Sequence, residues 1–278
     1  MKHLHGKNVF LTGGSSGIGL ATAELFASSG CIVYAGSRNP KTEVYKFPGG
    51  GEIRPVAIDV CDIDSVRNVA DTVLADADIG IIIHCAGMGI ACPGEDFTDG
   101  VAALMDTNFN GVLRVNSCFL PHLRSRGGGA CIMVGSVAGV YSIPFQSHYS
   151  ASKAAIVSYA KALRMELRDF NIHVSVISPG DTSATGFTAA RTYEIGESSP
   201  YYDACRTAVA KMEKDEQNGR PPSSVAQVIL KLCTQRNPSV HTVVGFDYKI
   251  LVFLRRLLPE RLMGHILRSM YLNGQKVR

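Results

Sequence analysis

Thr12-Gly13-Gly14-Ser15-Ser16-Gly17-Ile18-Gly19 is the stretch that decides how this chain folds. It lies between a short apolar run at residues 8–11 and a helical pattern over 17–29. Glycines at such a junction permit a tight turn, and they let backbone N–H groups close on an anion at the helix start. At the first strand-to-helix turn of a doubly wound sheet, that anion is the pyrophosphate of a dinucleotide. A flexible turn with no ligand is the plain alternative, and the flanking strand and helix argue against it.

Outward from this loop, short β-like runs alternate with helical segments. Residues 31–36, 53–58, 79–85, 130–134 and 172–177 have the continuous apolar character of strands buried on both faces. Residues 62–75 form an amphipathic helix, with Asp62 as its cap and Val66, Val69, Ala70 and Val73 on one face. Residues 97–126 read as two helices or one bent helix with Pro121 late in it, and 148–168 as a further helix. The pattern predicts an α/β fold: a single-domain Rossmann-type doubly wound parallel sheet over residues 1–278. After Pro179-Gly180 the regularity fails. Residues 181–223 are rich in Thr, Ser, Tyr, Gly and Pro, with one helix near 202–216, and such a segment is expected to be a substrate loop. A helix at 224–233 and a strand at 240–244 follow. A C-terminal helical tail over 248–272 then carries Leu251, Leu254, Leu257, Leu258, Leu262, Ile266 and Met270 among basic residues.

Composition removes several function classes. The net charge of +4 is modest for 278 residues, and the basic residues are scattered apart from Arg255-Arg256 and Lys276-Val277-Arg278, so nucleic-acid binding is not expected. The eight cysteines are irregularly spaced, with no Cys-x-x-Cys pair and no metal-ligand pattern. Met1 to Lys7 carries no signal-peptide core, so a reduced, cytoplasmic protein is expected. No apolar run approaches the roughly 20 residues of a membrane span.

Tyr149 and Lys153 are four residues apart in Tyr149-Ser150-Ala151-Ser152-Lys153. On a helix this spacing puts phenol and ammonium side by side. A free tyrosine titrates near ~10, and a neighbouring ammonium stabilises its phenolate, which would move the phenol toward the range of a general acid/base. The spacing alone is common. The phosphate loop upstream and Ser136 give it weight. At the end of the second strand, Tyr34-Ala35-Gly36-Ser37-Arg38-Asn39 contains no carboxylate to hold a ribose 2′-OH. Ser37 and Arg38 can instead donate to a 2′-phosphate, which favours NADP(H).

With these residues the chain resembles the short-chain dehydrogenase/reductase family over roughly residues 6 to 260. The resemblance rests on Thr12-Gly13-x-x-x-Gly17-x-Gly19, Thr107-Asn108-Phe109-Asn110-Gly111, Val134-Gly135-Ser136, the Tyr149/Lys153 pair and Pro179-Gly180, in that order. It implies that Asn108, Ser136, Tyr149 and Lys153 are the catalytic set. Tyr149 would exchange the proton, and Lys153 would lower its pKa and bond the nicotinamide ribose. Ser136 would hold the substrate oxygen, and Asn108 would hold a water. It implies that Gly13, Ser15, Ser16, Gly17, Ile18 and Gly19 hold the pyrophosphate, and that Asp59 and Val60 contact the adenine. Cys85, Ala86, Gly87, Pro179, Gly180 and Thr182 would lie along the nicotinamide half.

Two positions depart from the family pattern. Cys85-Ala86-Gly87 stands where Asn-Ala-Gly is usual, preceded by His84, for which a buried structural role is expected. Thr182 and Thr185 both offer themselves as the nicotinamide-carboxamide threonine. Gly36-Ser37-Arg38-Asn39-Pro40 and the Leu257–Leu262 segment resemble the 17β-hydroxysteroid-dehydrogenase-like branch, which implies a lipophilic alcohol or ketone such as a hydroxysteroid or bile acid. Met88, Phe145 and Phe187, with Tyr141 and Ile143, are expected as substrate-pocket walls. The resemblance also implies a homodimer or homotetramer through residues 97–126 and 148–168. The tail could close the pocket, pack on a partner subunit or make peripheral contact with a membrane. A 3-oxoacyl thioester reductase is the competing enzyme, and an inactive cofactor-binding regulator the competing non-enzyme.

Overall fold

Val9 and Leu11 are buried in one apolar cluster and Phe10 in another, because successive residues of a strand face opposite sides of a sheet. That alternation at the first strand sets the architecture: one sheet, with a core on each face. The computed structural model describes residues 6–188 and 190–272, so the N-terminal reading before Gly6 and the basic Lys276–Arg278 lie outside the described residues. Strands and helices follow in the order β1 (Asn8–Thr12), α1 (Gly17–Ser28), β2 (Ile32–Ser37), β3 (Tyr45–Lys46), β4 (Glu52–Ala57), α2 (Ile63–Asp76), β5 (Ile79–His84) and β6 (Ile90–Ala91). Then come α3 (Asp99–Met105), α4 (Gly111–Ser125), β7 (Gly129–Val134), α5 (Ser147–Glu166), β8 (Ile172–Pro179) and β9 (Thr192–Tyr193). The chain closes with α6 (Tyr202–Gln217), α7 (Pro222–Thr234), β10 (His241–Val244), α8 (Phe246–Leu257) and α9 (Glu260–Leu272).

The main sheet runs β10-β8-β7-β5-β1-β2-β4-β3. Its pairings are parallel except for β3, which pairs antiparallel with β4. One face packs Val66, Val69, Val115, Phe119 and Leu163 from α2, α4 and α5, with Phe10 stacked on Phe119 at 4.1 Å between centroids. The other packs Ala23 and Phe26 of α1 and Val225 and Ile229 of α7 against Val9, Leu11, Ile81 and Ile83. All six residues of β5 are buried, as expected for a central strand. Asp62 caps α2 by accepting from Asp64 N. The switch in strand order lies where β1 is flanked by β2 on one side and β5 on the other, and ligands bind outside the carboxyl ends of the strands at such a point.

Three features differ from the sequence expectation. First, the 97–126 region is a helix interrupted by a single π turn, Asp106–Asn110, held by Asp106, which accepts from Asn110 Nδ2 (3.0 Å) and Arg114 Nη2 (2.8 Å). Second, the tail is two helices, because Pro259 supplies no N–H and disfavours helical backbone at Leu258. Third, the 181–223 segment is anchored as well as irregular: β9 pairs with β6, while α6 falls where a helix is expected.

Candidate active site

The carboxyl ends of β1, β2, β5, β7 and β8 open into a cleft of about 770 Å³. The phosphate loop forms its floor. Gly13 adopts φ +74°, and a Cβ there would stand 2.6 Å from Ala86 N, so no other residue fits between β1 and the end of β5. Gly17 adopts φ +51° and abuts Thr185, where a Cβ would meet the carbonyl oxygen at 2.7 Å. Ser16, the N-cap of α1, makes no side-chain capping bond, and the first turn of α1 holds no acidic residue. Its first N–H groups are therefore left for an anion.

At the adenosine end the cleft is lined by Ser37, Arg38, Asp59 and Val60. Ser37 Oγ is buried without a hydrogen-bond partner, and Arg38 is exposed with no partner among the described residues. Asp59 accepts from Cys61 N at 2.9 Å. Along the nicotinamide end lie Cys85, Ala86, Gly87, Pro179, Gly180, Thr182 and Thr185. Thr182 donates to Gly180 O (3.0 Å), while Thr185 Oγ1 accepts from Phe187 N (3.2 Å), so both threonines reach the cleft. Cys85 leaves the sheet intact, because its N–H bonds Thr12 O at 3.0 Å and continues the β1–β5 ladder. Burial pushes its thiol up to about 12, which keeps it inert. His84 is a neutral core residue bonded to Asn116 at 2.9 Å, with burial holding it near 4. The orphaned Ser37 hydroxyl and the cradle at Gly13 fit a phosphorylated dinucleotide.

α5 places Tyr149 and Lys153 in its first turns, both buried. Lys153 Nζ lies 5.7 Å from the centroid of the Tyr149 ring and donates to Val134 O at 3.1 Å. Burial lowers Lys153 to about 8. Burial also raises Tyr149 to about 12, against a lowering hydrogen bond from Ser136, with Glu216 raising it and Arg191 lowering it. The sequence expectation is that the ammonium lowers the phenol; burial is instead the largest influence on it, and Lys153 is not among the groups that shift it. Ser136 is held by the short turn it caps, its Oγ accepting from Ala138 N at 3.1 Å.

Asn108 does not reach the cleft surface. From the π turn its Oδ1 accepts from Met88 N (2.8 Å), and its Nδ2 donates to Met88 O (3.0 Å) and Ser152 Oγ (3.1 Å). It clamps the loop after β5 onto α5 behind Gly87. Met88 and Phe187 line the cleft, and the Phe187 ring lies 5.4 Å from that of Tyr149. Phe145, expected as a wall, lies elsewhere. It packs against Tyr201 and lines a second cavity of about 500 Å³, beyond Tyr141 and Ile143, which border both spaces.

Sequence reading missed two groups here. Arg191, its side chain fully buried, pairs with Glu216, and its Cζ lies 5.5 Å from the Phe187 ring. Its Nε and Nη1 have no partner, and Thr188 also bonds Glu216. Asp181 faces the cleft, with burial raising its carboxyl and Tyr248 bonded to it. Both pairs join residues far apart, 25 and 67 positions, with no local signal. Gln146, at the end of the 141–146 segment expected to wall the pocket, lines the cleft with its buried Nε2 unpartnered.

Residues 7–195 match the family model described as short chain dehydrogenase. The chain is 34% identical over 268 residues to a 3-ketodihydrosphingosine reductase of Bacteroides thetaiotaomicron, covering 95% of this chain and 97% of that protein. It is 29% identical over 260 residues to a 3-oxoacyl-acyl-carrier-protein reductase of Thermotoga maritima, covering 90% and 99%. Among solved structures, a short-chain dehydrogenase of Burkholderia cenocepacia in complex with NADP aligns with TM-score 0.72 at 22% identity, covering 95% and 97%. One of Burkholderia phymatum in complex with NAD aligns with TM-score 0.79 at 23% identity, covering 92% and 95%, so these two share the fold. A mostly parallel sheet with a glycine cradle at its switch point, a Ser-Tyr-Lys cluster lining the cleft above it and a family match over most of the sheet lead to one assignment: the chain belongs to the short-chain dehydrogenase family of oxidoreductases.

Proposed function

We propose that this protein is an NADPH-dependent reductase of a ketone on a long lipophilic substrate, with a 3-oxo sphingoid base as the substrate class that fits best. When bound, the cofactor supplies hydride to the carbonyl carbon. Tyr149 donates its phenolic proton to the carbonyl oxygen, so that the ketone becomes a secondary alcohol. Ser136 bonds the same oxygen and fixes it beside the phenol. The Lys153 ammonium, at the inner end of the cleft, stabilises the phenolate left behind and passes a proton back to it. Asn108 keeps the Met88 loop in register with α5, the helix that carries Lys153.

The observation that carries the substrate class is the make-up of the cleft: the Asp181, Asp215 and Glu216 carboxylates, partnered by Tyr248, Lys211 and Arg191, line the same space as Ser136 and Tyr149, and a second, predominantly apolar cavity lies on the other side of Tyr141 and Ile143. A long-chain 2-amino-3-ketone presents an ammonium for the first and an alkyl chain for the second. The Bacteroides relative is named for such a substrate. A ketosteroid or a 3-oxoacyl thioester carries no cation. Assaying all three with NADPH tests this: kcat/KM is expected to be highest for the amino ketone, and turnover confined to the steroid or the thioester overturns it.

The second cavity gives a sharper check. Gly264 on α9 lines it, and a Cβ there meets nothing within 4 Å. Gly264→Phe is expected to displace about two methylenes of a long tail at ~0.8 kcal/mol each, raising KM for an eighteen-carbon ketone roughly tenfold. A six-carbon analogue should be unaffected.

The neighbours include both an NAD and an NADP complex, so the NADPH assignment rests on Ser37 and Arg38. Arg38→Ala removes a charge-assisted bond of ~1.5–3 kcal/mol to a 2′-phosphate and should weaken NADPH binding about 10- to 100-fold, with NADH unchanged. Equal losses for the two cofactors would refute the assignment. The same reading includes a reducing, cytoplasmic setting, with all eight cysteines free, and a homodimer or homotetramer through α4 and α5.

A further inference from the structure

Helix α8 is built inside out. Tyr248, Leu251 and Val252 pack inward, and Arg255 reaches the Val140 carbonyl, so this face is committed to the protein. Yet Phe246, Ile250, Phe253 and Leu257 fall within about 60° of one another on the opposite side. They are 73%, 47%, 58% and 64% exposed. A surface helix normally presents polar residues there, and scattered single exposures need no explanation. Four large apolar side chains in one stripe do. Lys249 and Arg256 lie along one edge of the stripe. Over 246–272 the chain has five Lys and Arg against two Asp and Glu, a net +3 of the whole chain's +4. Both acids are already engaged, Asp247 by Arg220 and Glu260 by Arg255.

We infer that α8 docks through this stripe on the surface of an anionic phospholipid bilayer. An apolar stripe bordered by basic residues is the composition that lies in a membrane interface, where apolar burial and attraction to anionic headgroups add together. A second copy of the chain is the other candidate occupant. An isologous contact would set two faces of the same positive charge against each other, which disfavours it. Among the described residues no helix is long and apolar enough to cross a membrane, so the contact is peripheral. Its placement has a use. Tyr248 on the inner face of α8 lines the catalytic cleft and bonds Asp181, while Met263 and Leu267 of α9 line the second cavity. The docked face therefore lies behind the walls of the spaces that would receive a lipid.

Vesicle co-sedimentation tests this without any assay of turnover, so its outcome stands apart from the substrate assignment. The full chain is expected to pellet with phosphatidylcholine vesicles containing phosphatidylglycerol, at least tenfold more than with phosphatidylcholine alone. Raising the salt concentration should release it. Phe253→Asp with Leu257→Asp should abolish pelleting and leave the melting temperature and NADPH binding unchanged. Lys249→Glu with Arg256→Glu, which spares the apolar stripe, should remove the preference for the anionic lipid. Sedimentation equal with and without vesicles would overturn the inference. So would a dimer in analytical ultracentrifugation that the aspartate pair converts to monomer, since the stripe would then be a subunit contact.

Discussion

Tyr149→Phe is expected to lower kcat by about 10³-fold while leaving NADPH affinity within twofold, because a positioned acid contributes roughly 10²–10⁴. The substitution removes one oxygen. The ring still packs beside Phe187 and beneath Lys153. No neighbour can take over the proton. The Ser136 Oγ accepts from Ala138 N and its aliphatic hydroxyl is a far weaker acid than a phenol, and the Lys153 ammonium donates to Val134 O. Single-turnover absorbance measurements of NADPH consumption separate the chemical step from binding, and a fluorescence titration gives the affinity. A rate near that of the parent protein would remove Tyr149 from the reaction.

Glu216→Ala should be the most destabilising single change near the site. It strands the Arg191 guanidinium, whose side chain is fully buried, with Nε and Nη1 already unpartnered. Breaking such a pair costs about 3–5 kcal/mol, and a loss of roughly 10 °C in Tm is the expected reading in a thermal melt. Glu216→Gln keeps a hydrogen-bonding group and isolates the charge. Glu216 raises the Tyr149 phenol and Arg191 lowers it. With the carboxylate neutralised, the phenol falls below its value of about 12, and protonated acid is lost at lower pH. The alkaline limb of the reduction rate should therefore move toward neutral pH in Glu216→Gln. An unmoved limb with normal stability would show that the pair acts on loop placement alone.

The sheet was legible because burial on both faces leaves unbroken apolar runs, as at Ile79–His84, and because Asp62 announces its helix by a capping bond two residues on. The Tyr149/Lys153 pair was legible for a similar reason: an i,i+4 spacing is a fact of helix geometry. β3, β6 and β9 were not. Each is two residues long, and pairing at that length is decided by what the backbone meets. Pro259 was in plain view, but the continuing leucines on either side masked the break it makes. The elevation of Tyr149 was hidden because spacing shows which charge is near and says nothing of how much water is removed. Phe145 misled by composition: an aromatic near the catalytic helix suits a pocket wall, and only the backbone, at φ +60° there, turns it away from the cleft.

The π turn at Asp106–Asn110 has a consequence for how this chain can change over time. A turn of that kind holds one residue more than an α-helical turn, and each residue rotates a helix by about 100°. Deleting a residue there would give a straight helix with better local bonding. It would also swing Val112, Val115 and Phe119 off the sheet, or else pull Asn108 from Met88. Substitutions within 106–110 can be absorbed one at a time, whereas a change of length cannot. Segment length here is tied to both the core and the clamp, so a change of length requires a matching change in one of them.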